Sequence, residues 1–445
     1  MARTPGQAAG LRRDNLSRLL LEVHVHGRMS RSELARRIGV DRSTVAVLVD
    51  ELARRGLVHD RPPAPHRAAI PGRPSRVVEL RAEGPVVLAM EIGTDSLAAA
   101  VVGFGGRVLA SHRVPTSRGS RPPAPVVADL VALALPLVEG TGGWSRVLAI
   151  GISIPGIVRR EDGVIRIAPN LEWREVPLAR LVGEALGRDL PVLVANDADL
   201  AALAEHTRGS GVGRSDFICL WGEAGLGAGI VVGGRPLTGR AGYAGEVGHI
   251  PVNPDGLPCH CGSSGCWETE VGEDALLRGA SGSAGSKALD ELFAAADAGA
   301  PEANEALDRV AHWLAVGITA LVDIFDPDLV AMGALYARIH ACRGEAIARE
   351  VAARAVVGAR DAVRLAAVRF GADAALLGAA ELALGPTLQD PTALHSHEGR
   401  PIGREHGSSG RAGRDGVGPA EGGEAALAAV PAADSGADLD ARTRG

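Results

Sequence analysis

At 445 residues the chain is longer than one hydrophobic core usually organises, which points to two or three folded units. Its composition, 46% hydrophobic and 22% charged, suits a globular protein. No apolar run is read as reaching the roughly 18 residues that cross a bilayer, and the Arg-rich N-terminus lacks a signal-peptide hydrophobic region, so a cytoplasmic protein with no membrane partner is expected.

The net charge of −6 conceals a division: residues 1–81 hold sixteen Arg against eight Asp and Glu, a net of +8, leaving −14 for the rest. A basic module on an acidic body suits a chain whose one end meets a phosphate backbone; the plainer reading is a solvated basic surface. Arginine abundance alone says little, because Lys287 is the only lysine. After a loose leader over Arg3 to Gly10, Leu16, Leu19, Leu20 and Val23 recur at helical spacing and Gly27 breaks the run. Ser30-Arg31-Ser32-Glu33 reads as a capping box opening a short helix that Gly39 ends. Asp41 is a good N-cap for the next helix, which turns Val45, Leu48, Val49 and Leu52 inward. Arg42, Ser43, Thr44, Ala46 and Val47 are left on or near its exposed start, as the candidate DNA-reading residues of a helix-turn-helix. Leu57-Val58-His59 and Arg76 to Leu80 read as wing strands, completing a winged helix-turn-helix over residues 11–81. Between them Arg73, in Gly72-Arg73-Pro74, is placed to enter an AT-rich minor groove; in isolation the same residues read as an ordinary rigid turn.

The body shows an internal echo. Val86 to Ala110 runs strand, turn, strand, turn, strand, and Asp216 to Leu237 repeats the scheme, which implies two related lobes. Helical stretches at 128–138, 178–186, 306–324 and 372–384 can cover the sheets. Inside the body, His249, Cys259, Cys261 and Cys266 form His-x9-Cys-x-Cys-x4-Cys, one imidazole and three thiols in a turn-rich segment able to close a tetrahedral zinc shell. With every position filled by protein, Zn2+ there is structural; a disulfide pair or a cluster of buried thiols are the rival readings. Cys219 and Cys342 read as buried small hydrophobes.

The residues around this cluster, Gly245-Glu246-Val247-Gly248-His249 before it and Gly265-Cys266-Trp267-Glu268 closing it, resemble the ROK family of repressors, open reading frames and sugar kinases. Ala168-Pro169-Asn170-Leu171-Glu172-Trp173 and Val194-Ala195-Asn196-Asp197 are similar to its other sugar-binding segments. The resemblance covers roughly residues 84–385. It implies an α/β chain in which the winged helix-turn-helix is followed by a two-lobed actin-like fold, of the sugar kinase and RNase H-like ATPase type. It further implies a hexose site formed by Asn170, Asn196, Asp197, Glu246, His249 and Glu268.

Asp197 matches the kinase base, but the phosphate loops depart from the kinase pattern. Glu91-Ile92-Gly93-Thr94-Asp95 puts an acid where a hydroxyl belongs, Glu223-Ala224-Gly225-Leu226-Gly227 loses a hydroxyl and gains an acid, and Met332-Gly333-Ala334 interrupts a glycine run. Gly93, Gly225, Gly227 and Gly229 are read as serving tight turns. A sugar-responsive repressor that binds its sugar without phosphorylating it is therefore expected. Its partners are a palindromic double-stranded DNA operator, a small sugar effector and a second copy of the chain. The alternatives are an active hexose kinase with a DNA-binding head, or a protein-binding scaffold. Residues 386–445, rich in Gly, Ala, Ser, Arg and Asp with no periodic apolar face, read as a disordered tail.

Overall fold

The computed structural model describes residues 5–62, 75–222, 224–240, 242–278, 285–356 and 363–394. Arg73, Glu223 and residues 395–445 lie outside them.

The N-terminal unit is built as its sequence pattern dictates. Helix α1 (Pro5–His26) buries Leu16, Leu19, Leu20 and Val23 completely, and it begins at Pro5, inside the stretch expected to be a loose leader. Ser30 Oγ accepts the Glu33 N–H at 3.1 Å at the start of α2 (Arg31–Ile38). Gly39 closes α2 at φ 69°, a left-handed value that glycine takes without strain. Helix α3 (Arg42–Arg54) is capped by Asp41 and keeps Val45, Leu48, Val49 and Leu52 in the core. Strands β1 (Met29–Ser30), β2 (Val58–Arg61) and β3 (Val77–Leu80) form a sheet in the order β1-β3-β2, a helix-turn-helix with a wing.

The two lobes share one topology. In the first, β4 (Val86–Ile92), β5 (Ser96–Gly103) and β6 (Arg107–Pro115) form an antiparallel meander, while β7 (Val147–Ile154) runs parallel to β4 and β11 (Val192–Asn196) parallel to β7. In the second, β12 (Phe217–Trp221), β13 (Gly227–Val232) and β14 (Arg235–Pro236) repeat the meander, with β15 (Leu329–Met332) parallel to β12 and β16 (Arg364–Ala367) parallel to β15. The echo in the sequence is thus a repeat in space. A small sheet of β8 (Ile157–Arg159), β9 (Val164–Ala168) and β10 (Trp173–Pro177) stands beside the first lobe and carries the Asn170 turn, and α5 (Leu178–Leu186) follows it. Helix α4 (Pro123–Gly140) corrects the expectation about apolar runs. Its 18 residues are long and apolar enough to cross a bilayer, yet it lies on the first-lobe sheet with Val126, Val127, Leu130, Val131, Ala134 and Val138 buried.

The C-terminal helix, Ala374–Gln389, returns from the second lobe to pack on β7 and on α6 (Asp197–Arg208). It corrects the boundary placed at residue 385: the ordered chain continues through Gln389 into a short turn, Pro391–Ala393. Pro391 is buried, and Arg55 of the N-terminal unit donates to the carbonyl oxygens of Thr392 and Leu394. The apolar side chains of α1, α2 and α3 form one continuous core with Phe104, Leu200, Leu376, Ala380 and Leu384, so the head is packed onto the first lobe.

Candidate functional site

A cavity of about 410 Å³ opens between the lobes, and Asn170, Asn196, Asp197, Glu246, His249 and Glu268 all line it. Four segments deliver them: the Pro169–Leu171 turn, the β11–α6 junction, the Val247–His249 turn with its cap Glu246, and α7. Strand β11 ends at Asn196, whose side-chain oxygen caps α6 by accepting the N–H groups of Ala198 (2.8 Å) and Asp199 (3.2 Å), while its amide donates to Gly156 O at 2.9 Å. The Asn196 side chain is therefore largely engaged in holding Asp197 at the helix start. Glu268 sits on α7 (Trp267–Val271), anchored by the fully buried Trp267, whose indole N–H donates to Trp313 O at 2.9 Å. The indole lies where Gly317 has no side chain. Glu268 Oε2 accepts the Leu226 N–H at 3.0 Å, so it also fixes the β12–β13 loop of the second meander. A Cβ on Gly225 would stand 2.2 Å from that oxygen, and one on Gly229 would stand 2.3 Å from Ala202 Cβ and 2.5 Å from Ala198 O. Gly225, Gly227 and Gly229 have no left-handed backbone. Close approach of Glu268 and α6, rather than a tight turn, requires at least the first and last of them.

Asp199, His260 and Arg174 also line the cavity, and the sequence reading missed all three. Burial raises the Asp199 carboxyl above the usual range even though Arg160 donates to it at 2.9 Å. Burial, reinforced by Asp199 and Glu268, raises Glu246 as well. His260 Nδ1 lies 3.4 Å from Glu268 Oε1. Two signals were available: Asp199 follows Asp197 within the first turn of α6, and His260 lies between two candidate metal ligands.

His249, Cys259, Cys261 and Cys266 converge, their ligand atoms all within 4.8 Å of one another. Cys259 Sγ is 3.6 Å from His249 Nδ1, and Cys261 Sγ is 3.6 Å from Cys266 Sγ. A tetrahedron with metal–sulfur bonds of about 2.3 Å and metal–nitrogen bonds of about 2.0 Å has edges of about 3.5–3.8 Å, which these two separations match, so the donor set fits zinc. A disulfide, at about 2.05 Å between sulfurs, does not match this spacing, and all three thiols are free. Burial and the neighbouring sulfurs push the Cys266 thiol up to about 12. Gly265 makes the turn possible: its φ is 66°, and a Cβ would stand 1.7 Å from Asn253 O. With Nδ1 facing the sulfurs, His249 Nε2 points toward Glu246, 3.9 Å away.

The acids of the first phosphate-loop segment, Glu91 and Asp95, are set among arginines. Glu91 pairs with Ala98 and Ala98 with Arg113 across β4, β5 and β6. The small Ala98 lets Arg113 reach Glu91 at 2.7 Å and continue to Asp373 at 3.3 Å. Arg118 joins Asp95 (3.5 Å) to Glu273 (2.7 Å). Glu91 and Asp95 therefore carry internal arginine partners rather than bare repulsive charge. Ala334 adopts φ 51°, a value a glycine in the expected run would take without strain.

In the head, Arg42, Ser43 and Val47 are exposed and Thr44 and Ala46 half-buried on the first two turns of α3. Asp41 accepts from the Ser43 hydroxyl and from the Thr44 N–H (2.8 Å) and hydroxyl (2.7 Å), which hold its carboxyl well below the usual range. Arg42 and Val47 are thus the freest of the five. In the wing, Arg76 is tied to Asp60.

The ROK family model matches residues 87–385, and a MarR family model matches residues 16–69. A glucokinase from Streptomyces coelicolor is 34% identical over 325 residues, 68% of this chain and 98% of that protein. A xylose repressor from Caldicellulosiruptor bescii is 30% identical over 324 residues, 68% of this chain and 79% of that protein. Among solved structures, a ROK family transcriptional regulator homologous to the E. coli MLC protein superposes with a TM-score of 0.69 at 25% identity, covering 83% of this chain and 95% of that one. A ROK family glucokinase from Streptomyces griseus, in complex with glucose and AMPPNP, gives 0.58 at 32% identity, covering 67% and 99%. With the family's model spanning both lobes and the zinc-type loop, this chain belongs to the ROK family.

Proposed function

We propose that the protein is a sugar-responsive, DNA-binding transcriptional repressor whose kinase-like body binds a sugar without phosphorylating it. One observation carries the reading: a helix-turn-helix with its reading face exposed is packed through a continuous core onto a lobe whose cleft gathers six candidate sugar contacts. Asp197, Glu246 and Glu268 accept from sugar hydroxyls, His249 donates through Nε2, and Asn170 offers both. Arg42 and Val47 read the major groove, and Arg73 is assigned to the minor groove. His249, Cys259, Cys261 and Cys266 hold a structural Zn2+ that fixes the pocket wall carrying Glu246 and His249. We assign the protein to the cytoplasm, acting as at least a dimer on a palindromic operator, since two heads on one site gain effective concentration.

The kinase alternative is favoured by Asp197 standing in the cleft and by the 34% identity to a glucokinase. Against it, Arg113 and Arg118 are engaged with Glu91, Asp373, Asp95 and Glu273, and the hydroxyls expected in both phosphate loops are missing. Phosphoryl transfer depends on positioning and charge neutralisation, so those losses fall on the step that needs them. The deciding test offers glucose, xylose and N-acetylated hexosamines with Mg-ATP in a coupled ADP-release assay, beside calorimetry with each sugar. Sugar binding without turnover supports the proposal. Sugar-dependent ADP release that vanishes in Asp197→Ala overturns it in favour of a kinase, and the absence of binding by any sugar favours a scaffold.

A further inference from the structure

Two helices begin at the proposed sugar cavity and run together toward the DNA-binding head, where the C-terminal helix packs on α1. Helix α6 starts with Asp197 in the cavity wall and ends at Arg208, about 18 Å away at 1.5 Å per residue. The C-terminal helix starts with Ala374 and Ala375, the latter also lining the cavity, and reaches Glu381 two turns later. The two are pressed together without side-chain cushioning, because a Cβ on Gly378 would stand 1.9 Å from Leu200 O.

Their far ends meet in a buried joint. Arg208 Nε lies 2.9 Å from one oxygen of Glu381, and the other oxygen lies 2.8 Å from His24 Nε2 of α1. His24 is 1% exposed and Glu381 6%, so neither side chain has solvent as an alternative partner. The second nitrogen of His24 accepts the Gly105 N–H at 2.9 Å, which leaves Nε2 as the donor to Glu381. The Arg208 guanidinium occupies the space a side chain on Gly106 would need. The joint therefore ties the C-terminal helix, the β5–β6 turn and the head through the hydrogen bonds of His24, and α6 through the buried Arg208–Glu381 ion pair.

We propose that Arg208, Glu381 and His24 are positioning residues through which sugar in the cleft sets the orientation of the DNA-binding head, with Glu381 as the shared member. The proposal rests on the repressor reading above. A ligand moves only an equilibrium whose states it binds differently. A displacement at Asp197 or Ala375 propagates along helices in backbone contact, and the buried joint permits the head only discrete arrangements.

The test uses full-length protein, glucose and xylose as probes, and a duplex selected by the wild type from a random library. Wild type should change its DNA affinity by at least about fivefold on saturation with whichever sugar binds. Glu381→Gln should reduce that change to less than about twofold, while calorimetry finds sugar affinity, and anisotropy finds sugar-free DNA affinity, within about threefold of wild type. Arg208→Gln should do the same and Arg208→Lys should restore part of the response. The arginine variants also carry the test if Glu381→Gln fails to fold. A purely structural joint would lower stability but leave the ratio of DNA affinities with and without sugar unchanged, and that result overturns the proposal. If wild type binds sugar but shows no change in DNA affinity, the repressor reading fails at its source and the proposal falls with it.

Discussion

At the residue scale, Asn196 and Asp197 stand side by side in the wall of the cleft. Asn196 is largely engaged in its cap and backbone contacts, and the function proposed above gives sugar recognition to Asp197 together with Asn170, Glu246, His249 and Glu268. Asp197→Ala should abolish the sugar's effect on DNA binding while leaving sugar-free DNA affinity nearly intact, as paired calorimetry and gel-shift titrations would establish. In the zinc loop, Cys261→Ser removes one of four donors. Metal analysis should fall from about one zinc per chain toward zero, with sugar binding and melting temperature falling together because the same loop positions Glu246 and His249. At Glu381, burial pulls the carboxyl upward, but His24 and Arg208 outweigh it and hold it below its ordinary value of 4.5. A depressed carboxylate contributes stability that is present above the ordinary value and lost as pH falls through the depressed one. The stability gap between wild type and Glu381→Gln should therefore be widest near neutral pH and shrink as the pH is lowered below about 4.5, read by denaturant unfolding.

Among elements, α3 shows how far local pattern reaches. Its N-cap, inward face and exposed start follow from Asp41 and the spacing of Val45, Leu48, Val49 and Leu52. Leu48 is 3% exposed, and Leu48→Ala should destabilise the protein by about 2–5 kcal/mol through transfer and cavity costs. Arg42→Ala, on the exposed first turn, should leave stability unchanged and weaken DNA binding by on the order of tenfold. The body's glycines teach the opposite lesson. Gly225 and Gly229 look like turn residues in sequence, but neither has a left-handed backbone, and the demand comes from Glu268 and α6 approaching from elsewhere in the chain.

For the whole molecule, head and body share one apolar core, so removing residues 1–83 should cost more than DNA binding. The truncated body should lose all affinity for the selected duplex, retain sugar binding by calorimetry and melt at a lower temperature, since Leu376, Ala380 and Leu384 lose their cover. DNA binding by the full chain should fall steeply with salt because phosphate contacts by arginine release counterions, and a flat salt dependence would exclude the assigned interface.

By itself the sequence determined what depends on near neighbours. The winged head, the paired meanders of the two lobes and the turn-rich cysteine loop are carried by periodicity, caps or short motifs, whereas the six cleft residues were named by the resemblance to the ROK family. Residues that act across long separations were not legible. Arg113 compensates Glu91 only because two small strand steps bring them to one sheet face, and Arg118 meets Glu273 across 155 positions. The tail boundary was misplaced because Pro391 and its neighbours lack a periodic apolar face and gain their order from Arg55, more than 330 positions earlier. His24 reads as an ordinary polar residue near the end of α1 until the fold sets it against Glu381, 357 positions away. Local propensity fixes elements because its partners lie within a few residues, whereas a buried charge finds its partner only after the elements have packed.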